Sequence, residues 1–476
     1  MNYIDGNWQQ GSGDPFVSEN PVTGEQLWQG NAATLDEVRR AFNAAAESQV
    51  SWRNRSWEER AEVLRRFAEL ADKHSNSLAK AISNEVGKAF WDATTEAKAV
   101  AAKCAITIEA YQHLRDDTQV STNTLKGRVI YRPLGVVGVI GPFNFPAHIA
   151  NGQIVPALLA GNSVVFKPSE LTPHVAQVMV ELWEKAGLPS GVLNLVQGGI
   201  PTSQAILAEP HLRGLFFTGS RATGIKLREA LTTRLEVLLA LELGGNNPLV
   251  VHQVENIDDA VDKVVKSAFL TSGQRCTCAR RLIVTGDARP LLDRLAEKTR
   301  EVTVGPPSDQ PEPFMGSLIH ANAVEDVIKF QAELTNHGAV PLIPAERMSL
   351  GPAFVSPGIV DVTACAARRD EEVFGPLLQV IRVPDLDAAI REANDTQYGL
   401  AAGILCGERA DFDRFRNQVT AGLINWNLPT TGASGRLPFG GIGQSGNYRP
   451  AGYHAINFCH TPIAEVEAVQ EGAETK

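Results

Sequence analysis

The chain has 476 residues, of which 43% are hydrophobic and 21% are charged. This length exceeds one ordinary core, so we expect two large domains or one elaborate α/β unit, and the composition excludes a chain that is disordered throughout. The net charge of −10, from 44 Lys and Arg against 54 Asp and Glu, predicts no nucleic-acid partner, because phosphates require an excess of positive charge.

The hydropathy pattern and the six cysteines bear on membranes, compartment and metals. No run approaches the roughly 18 apolar residues that span a bilayer, and the opening residues lack the charged and apolar regions of a secretory signal. We therefore expect a cytoplasmic protein with no membrane partner, whose cysteines are free thiols. Cys276 and Cys278 have no second pair at zinc spacing, so no metal is expected.

The first 114 residues are predicted to be scaffold without chemistry. Alternating apolar and polar residues in the range 2–17 indicate a β-hairpin. Thr34 with Glu37, and Ser56 with Glu59, form the capping-box pattern that marks the start of a helix. Helical periodicity then continues, with breaks, to the end of this section.

From about Arg128 the pattern changes to short strands separated by helices. Strands are predicted at residues 128–133, 134–140, 164–166, 192–196, 215–217 and 237–241. Apolar strands joined by helices indicate a parallel sheet, which binds ligands beyond the carboxyl ends of its strands. A second αβ series runs from Gly244 to about Asn427, and in it a predicted helix at 258–270 is terminated near Gly273.

A glycine turn between a strand and a helix is the first candidate binding element. A helix that begins there aims free backbone amides and the positive end of its dipole at an anion such as a pyrophosphate. The turn lacks the ordinary dinucleotide fingerprint, so a simple tight turn stays open as an alternative. Its residues are Gly219, Ser220, Arg221, Ala222, Thr223 and Gly224.

Lys167 and Glu170 form a second candidate, at the carboxyl end of a strand predicted in the same sheet. A carboxylate at that position accepts both ribose hydroxyls and repels a 2′-phosphate, which favours NAD over NADP. The alternative is a surface lysine beside a glutamate that caps a helix.

Three further residues suit covalent chemistry. Cys276 lies just past a helix end, Asn144 lies in a loop stiffened by two prolines, and Glu242 ends a strand. Burial would raise the pKa of Glu242 and suit it to act as a general base near neutrality. The alternatives are a buried structural thiol, a turn-forming asparagine and a salt-bridged glutamate.

Seven motifs place these residues in one order along the chain. They are 142–146 (PFNFP), 166–170 (FKPSE), 217–220 (FTGS), 242–245 (ELGG), 273–276 (GQRC), 371–376 (EEVFGP) and 438–441 (PFGG). In this order they resemble the NAD(P)-dependent aldehyde dehydrogenases over nearly the whole chain.

The resemblance implies an α/β fold with a Rossmann-type dinucleotide-binding domain. Residues 1–117 and 134–244 would form that NAD-binding domain, and 245–445 an α/β catalytic domain. Residues 118–133 and 446–476 would form a small β oligomerisation arm and a tail, which build a homodimer or homotetramer.

The resemblance also assigns roles. Cys276 would be the nucleophile that forms a thiohemiacetal and then a thioester. Asn144 and the Cys276 backbone N–H would form the oxyanion hole, and Glu242 would activate the hydrolytic water. Cys278 has no family role and is expected to be structural.

The cofactor implied by the resemblance is NAD. Lys167 and Glu170 would contact the adenosine ribose, and Ser220 the pyrophosphate. Glu372 and Phe374 would hold the nicotinamide ribose and ring.

Within the family, residues 194–199, 244–248, 273–281 and 438–450 resemble the N-succinylglutamate 5-semialdehyde dehydrogenases. That substrate is a small anionic semialdehyde with two carboxylates. Arg275, beside the nucleophile, is expected to grip one of them, and a loop with Thr431, Gly432 and Arg436 to bind the other end. The alternatives are an internal ion pair for Arg275 and a solvated Arg436.

Two other functions stay open. One is oxidation of succinate semialdehyde or glutamate semialdehyde by the same chemistry. The other is a cofactor-free cysteine hydrolase, which needs only the thiol, the base and the oxyanion hole. Retention of Glu372 and Phe374 disfavours the hydrolase, because it has no use for a nucleotide.

Overall fold

The computed structural model describes residues 1–115 and 118–469, so the predicted tail lies partly outside the described residues, from 470 onward. Two seven-stranded sheets organise the described chain, and helices cover their faces. The predicted α/β class, with a dinucleotide-binding type of parallel sheet, is confirmed.

Helices and strands alternate along most of the sequence. The α-helices are α1 (Leu35–Arg53), α2 (Trp57–Lys73), α3 (Ser75–Val86), α4 (Phe90–His113), α5 (His148–Leu159), α6 (Pro173–Lys185), α7 (Ile200–Ala208), α8 (Arg221–Ala230), α9 (Ile257–Phe269), α10 (Arg289–Arg300), α11 (Ala321–Asn336), α12 (Leu386–Asn394) and α13 (Arg409–Gln418). Short 3₁₀ turns lie at Leu270–Gly273, Gly443–Ser445 and Tyr453–Phe458.

The strands of the first part of the chain are β1 (Asn2–Ile4), β2 (Asn7–Gln9), β3 (Pro15–Glu19), β4 (Gln26–Asn31), β5 (Gln119–Ser121), β6 (Leu125–Pro133), β7 (Val136–Ile140), β8 (Ser163–Lys167), β9 (Leu193–Leu195), β10 (Leu212–Gly219) and β11 (Leu238–Leu243). Those of the second part are β12 (Asn247–His252), β13 (Ala279–Thr285), β14 (Val340–Ile343), β15 (Gly358–Asp361), β16 (Leu377–Val383), β17 (Ala401–Cys406), β18 (Leu423–Trp426), β19 (Pro438–Phe439), β20 (Ala451–Gly452) and β21 (His460–Ala468).

The first sheet has the order β11-β10-β7-β8-β9-β1-β2. Strands β7 to β11 are parallel, and the predicted hairpin β1-β2 adds an antiparallel edge. Alternate residues of β7 enter two different cores, Val137 on one face and Val136 on the other, because side chains alternate along a strand. Burial on both faces explains the nearly continuous apolar sequence of these strands.

The second sheet has the order β14-β15-β16-β13-β12-β17-β18, and only β14 is antiparallel. It too is covered on both faces by apolar clusters. The loops that carry Asn144 and Cys276 meet beside the end of β11, where Glu242 is the penultimate residue of its strand.

Both predicted capping boxes are present. The hydroxyl of Thr34 accepts the amide N–H of Glu37, whose carboxylate accepts the N–H of Thr34, and Ser56 and Glu59 repeat the arrangement. A separate three-stranded sheet, β21-β6-β5, pairs residues 460–468 with 125–133. In the described part of the chain no helix has the length and apolar character needed to cross a bilayer.

Candidate active site

A short turn positions Cys276, the candidate nucleophile. Helix α9 ends at Phe269, four residues before Gly273, so Gly273 is not the helix terminator that the sequence predicted. Thr271 and Ser272 instead adopt left-handed backbone conformations, both with φ of 54°, which are strained for non-glycine residues. The Thr271 hydroxyl donates to the buried carboxylate of Asp92 and helps to hold this turn.

Gly273 has a different function in the turn. A Cβ at this position would lie 2.2 Å from the carbonyl oxygen of Gly375, so the nucleophile turn packs directly on the segment that follows Phe374. Only glycine fits this approach. The contact fixes the distance between the thiol-bearing loop and the predicted nicotinamide-binding segment.

The two cysteines of the loop have different surroundings. The Cys276 side chain is half-buried and reaches a large groove, whereas Cys278 is fully buried, with its sulfur 3.7 Å from the Leu270 carbonyl. The Asn247 side chain donates to the carbonyls of both, at 2.7 and 2.9 Å. Asn247 therefore fixes the backbone that presents Cys276.

Glu242 lies against the Cys276 thiol. Its carboxyl is almost fully buried and lies close to that thiol, and its Oε1 atom has no hydrogen-bond partner among the described residues. Burial, aided by the nearby Glu372 carboxylate, raises the pKa of Glu242 to about 8. Burial and the same two carboxylates raise the pKa of Cys276 well above its usual range. Near pH 7 the thiol therefore keeps its proton, and so does most of the Glu242 carboxyl, the candidate base beside it.

The Asn144 amide lies on the other side of the thiol loop. Its Nδ2 donates to the carbonyl of Gln274 at 2.9 Å, which leaves its second N–H free to serve an oxyanion. The backbone carbonyl of Asn144 accepts a hydrogen bond of 2.6 Å from Lys88. The Lys88 ammonium is fully buried and ion-paired with Glu96 at 2.8 Å. This pair fixes the Asn144 loop.

A groove of about 750 Å³ joins the thiol to the predicted cofactor residues. Its lining includes the three candidate catalytic residues and most of the candidate cofactor residues, namely Asn144, Lys167, Glu170, Gly219, Ser220, Thr223, Glu242, Cys276, Glu372 and Phe374. Arg221, Ala222 and Gly224 are not part of the lining. Arg221 instead hydrogen-bonds with Gln444 and Gln397, and Gly224 packs against Leu243.

One end of the groove suits a phosphate and a ribose. Ser220 caps α8, so the free amides of the first helical turn lie at the groove. Lys167 donates to the carbonyls of Pro168 and Gly198, both at 2.7 Å, and lies 3.7 Å from Glu170. The Glu170 carboxylate is half exposed and has room for a ligand.

The end of the groove near the thiol suits a second ribose and a flat ring. Glu372 lies so close to Gly244 that a Cβ there would be 1.7 Å from its Oε2. Its buried Oε1 lies 3.5 Å from the Arg280 guanidinium and makes no closer hydrogen bond among the described residues, so it can still accept from a hydroxyl group. Phe374 packs edge-on against Phe143, with ring centroids 5.8 Å apart. The lining thus fits a dinucleotide along its whole length.

The family model of aldehyde dehydrogenases matches residues 8–462. The chain belongs to the aldehyde dehydrogenase family. An N-succinylglutamate 5-semialdehyde dehydrogenase of Paraburkholderia xenovorans (strain LB400) is 47% identical over 470 residues, which cover 98% of this chain and 96% of the relative.

Solved structures of similar fold extend the comparison. A succinate-semialdehyde dehydrogenase from Burkholderia pseudomallei is 31% identical, with a TM-score of 0.93 over 98% of both chains. An NADP-dependent enzyme of E. coli is 30% identical, with a TM-score of 0.94 over 98% of both chains. This aldehyde dehydrogenase therefore has relatives that differ in substrate and in dinucleotide.

The residues predicted to bind substrate lie outside the cofactor groove. Arg275 ion-pairs with Asp92 at 2.7 Å and donates to Thr271 at 2.7 Å, which is the internal arrangement left open from the sequence. Arg436 pairs with Glu109 in an exposed position. Arg275 and Arg436 thus pair with different carboxylates, and the structure does not join them in one binding site.

Two residues that support the site were not predicted from the sequence. Asp92 and Glu96, both on α4, hold the Cys276 and Asn144 loops of this aldehyde dehydrogenase, so the first 114 residues are not merely scaffold. The signal was available: both carboxylates lie on the helix face of Ala93, Ala97 and Val100, where apolar residues are expected.

The raised pKa of Glu242 predicts a pH dependence for this aldehyde dehydrogenase. Because the candidate base can act only when it is ionised, kcat should rise about tenfold from pH 7 to a plateau above about pH 9. The measurement is kcat against pH with both substrates saturating. A plateau that already begins near pH 5, as for an ordinary carboxyl, would contradict this assignment.

Proposed function

We propose that this enzyme oxidises N-succinyl-L-glutamate 5-semialdehyde to N-succinyl-L-glutamate with NAD, in the succinyltransferase pathway of arginine catabolism. The observation that supports the substrate best is the 47% identity, over nearly the full length of both chains, to a protein named for this reaction. The three residues expected to perform the chemistry also meet at the groove.

The thiol begins the reaction. Glu242 accepts the proton of the Cys276 thiol as the sulfur bonds to the aldehyde carbon, and the carbonyl oxygen becomes an oxyanion. The free N–H of Asn144 and the Cys276 backbone N–H stabilise that oxyanion. The loss of one such donor typically costs a factor of about 10²–10³ in rate.

When bound in the groove, NAD supplies the acceptor for the hydride that leaves the thiohemiacetal carbon. The product of that loss is a thioester on Cys276. Glu242, once it has lost its proton to solvent, takes a proton from water as the water oxygen bonds to the acyl carbon. The C–S bond then breaks, which releases the carboxylic acid and regenerates the thiol site.

The cofactor preference is proposed from Glu170. A carboxylate at this position repels the 2′-phosphate of NADP, so we expect kcat/KM to be at least about tenfold higher with NAD than with NADP. Glu170→Gln should narrow that ratio roughly tenfold by improving the use of NADP. Glu229→Gln, on the exposed side of α8, is the control. A ratio that Glu170→Gln leaves unchanged would contradict this role.

The substrate is tested with a panel of semialdehydes. NADH formation is measured with N-succinylglutamate, succinate and glutamate semialdehydes, with NAD and with NADP. We expect kcat/KM to be highest for the succinylated compound with NAD. Equal or better rates for an unacylated compound would replace the proposed substrate, and the succinate-semialdehyde dehydrogenase of similar structure makes that compound the second candidate.

We propose Arg275 as one substrate ligand. Thr431, Gly432 and Arg436 are proposed as further substrate ligands with less structural support. Arg275 is adjacent to the nucleophile, and its Nη1 has no hydrogen bond to the described residues, although its other donors bind Asp92 and Thr271. A role for Arg436 requires its pair with Glu109 to open.

Hydrolysis without cofactor is disfavoured, since Glu372 and Phe374 would then have no function.

We also propose the division into an NAD-binding domain (1–117 and 134–244), a catalytic domain (245–445) and an oligomerisation arm with tail (118–133 and 446–476). The separate sheet β21-β6-β5 supports the arm, and its exposed Val120 and Val466 suit a homodimer or homotetramer. Six free cysteines favour a reducing compartment such as the cytoplasm.

A further inference from the structure

Helix α4 has three buried charged side chains on one face. Asp92, Glu96 and Lys103 follow each other at intervals of four and seven residues, and each is at most 4% exposed. Asp92 binds the turn that precedes Cys276, and Glu96 binds the loop that follows Asn144. Two of the three charges therefore serve the active site, which raises the question of what the third one binds.

Lys103 has no anionic partner among the described residues. Its ammonium donates one hydrogen bond, of 2.8 Å, to the Gly452 carbonyl, and no described carboxylate lies within 4.0 Å of it. An ammonium has three donors, so two remain unused. A buried ammonium without a counter-charge is costly, and such groups concentrate at functional sites.

The titratable groups around Lys103 are all uncharged near neutral pH. Burial lowers the pKa of His148 to about 4 and raises the pKa of Cys104 to about 12, so that the imidazole and the thiol stay neutral. Burial also raises the pKa of the Cys459 thiol, with the same consequence. Lys103 itself, with a pKa lowered to about 8, remains mostly charged at pH 7. The region therefore holds one uncompensated positive charge.

The packing beside this charge is loose at Gly152. Gly152, on α5, is buried, yet a Cβ built there would meet only one atom outside its own helix within 4 Å, the Cε of Lys103 at 4.0 Å. Protein interiors are close-packed, so a Cβ at a buried position normally meets several atoms. His148 lies one turn earlier on the same face of α5, and its buried Nδ1 has no hydrogen-bond partner among the described residues. Both observations indicate a space between α4 and α5.

This space is adjacent to the catalytic loop and outside the cofactor groove. The groove lining includes Asn144 and Ile149 but neither His148 nor Gly152. His148 follows Asn144 by four residues, and its backbone N–H is held by Glu96, which also binds Lys88 behind Asn144. A molecule in the space would therefore lie next to the oxyanion-binding loop without displacing the dinucleotide.

We propose that Lys103 binds a carboxylate of the aldehyde substrate in the space beside Gly152 and His148. This inference rests on the proposed function, since that function requires a substrate with two carboxylates. Lys103 contributes charge and two N–H donors, and Gly152 contributes room. The aldehyde end of the same molecule reaches Cys276.

The test compares an anionic substrate with a neutral one. The ratio of kcat/KM for N-succinylglutamate semialdehyde to that for hexanal is measured with NAD in wild-type enzyme and in Lys103→Met, which keeps the length of the side chain. Removal of one partner of a buried charge pair predicts a fall of about thirtyfold or more in this ratio. Lys98→Met, on the exposed side of α4, should leave the ratio unchanged.

A second variant keeps the inference testable if Lys103→Met does not fold. Gly152→Val fills the space and keeps the charge, and we expect the same selective loss for the succinylated substrate. An unchanged ratio in the soluble variants, with wild-type enzyme still preferring the succinylated substrate, would overturn the role of Lys103 alone. Wild-type preference for another carboxylated semialdehyde would overturn the proposed substrate. The ratio of kcat/KM for that compound to kcat/KM for hexanal, compared between wild type and Lys103→Met, then decides the role of Lys103.

Discussion

Cys276→Ala should lower kcat by a factor on the order of 10⁵–10⁶, because it removes the only sulfur among the described residues that line the groove, and with it the acyl intermediate. The affinity for NAD should change by less than about threefold, since the proposed nucleotide contacts are made by other residues. NADH formation and a separate NAD titration measure the two effects. Sustained NADH production by this variant would disprove the covalent mechanism.

Cys278→Ala is the matched control for this experiment. The two cysteines are two residues apart, and Cys278 is fully buried without access to the groove. We expect turnover within about threefold of wild type and a loss of about 1 kcal/mol in the free energy of unfolding from the small cavity. A loss of activity comparable to that of Cys276→Ala would show that the two thiols act together.

Glu242→Gln should slow the first half of the reaction and block the second, because the amide can take a proton neither from the Cys276 thiol nor from water. The amide cannot take a proton from water, so steady-state turnover should fall by about 10²–10⁴. If the thiol can still lose its proton to solvent, rapid mixing will show up to one equivalent of NADH followed by a slow steady rate. This pattern assigns Glu242 chiefly to thioester hydrolysis.

The control for Glu242→Gln is another carboxyl of the same groove, Glu371. Glu371 is exposed, unlike Glu242, so Glu371→Gln should keep both phases. If Glu242→Gln instead shows a slow first equivalent and no burst, Glu242 acts first on the Cys276 thiol, which lies close to its carboxyl. Wild-type turnover by Glu242→Gln would remove Glu242 from the chemistry altogether.

The sequence predicts the sheet and the groove well because both depend on short-range patterns. Val136–Ile140 and Ser163–Lys167 are continuous apolar strands, and the ligand-binding edge of a parallel sheet follows from their direction. Asn144 and Glu242, at or just beyond the ends of such strands, therefore meet at one edge as predicted. The motif order supplied Cys276, which lies in the loop before β13 of the second sheet.

Long-range side-chain partners explain most of what the sequence did not predict. Arg275 pairs with Asp92, 183 residues away, and no local pattern announces that contact. Lys88 and Glu96 likewise gain their function only from the Asn144 loop, which comes 56 residues after Lys88. The buried charges on α4 have a local signal, since they interrupt an apolar face, but their partners require the tertiary structure.

The end of α9 shows the same limit at the scale of one turn. Gly273 is a plausible helix terminator by its residue type. The helix nevertheless ends at Phe269, because Asp92 from α4 stabilises the left-handed Thr271 before the glycine is reached. Glycine at 273 instead satisfies the close approach of Gly375.

The most direct test of the covalent mechanism is to capture the acyl group on the enzyme. Wild-type enzyme is mixed with NAD and N-succinylglutamate semialdehyde, quenched in acid within one turnover, and analysed by mass spectrometry after proteolysis. The mechanism predicts the N-succinylglutamyl acyl group on Cys276, and its absence from Cys276→Ala. Stoichiometric NADH without any acyl group on Cys276 would contradict it.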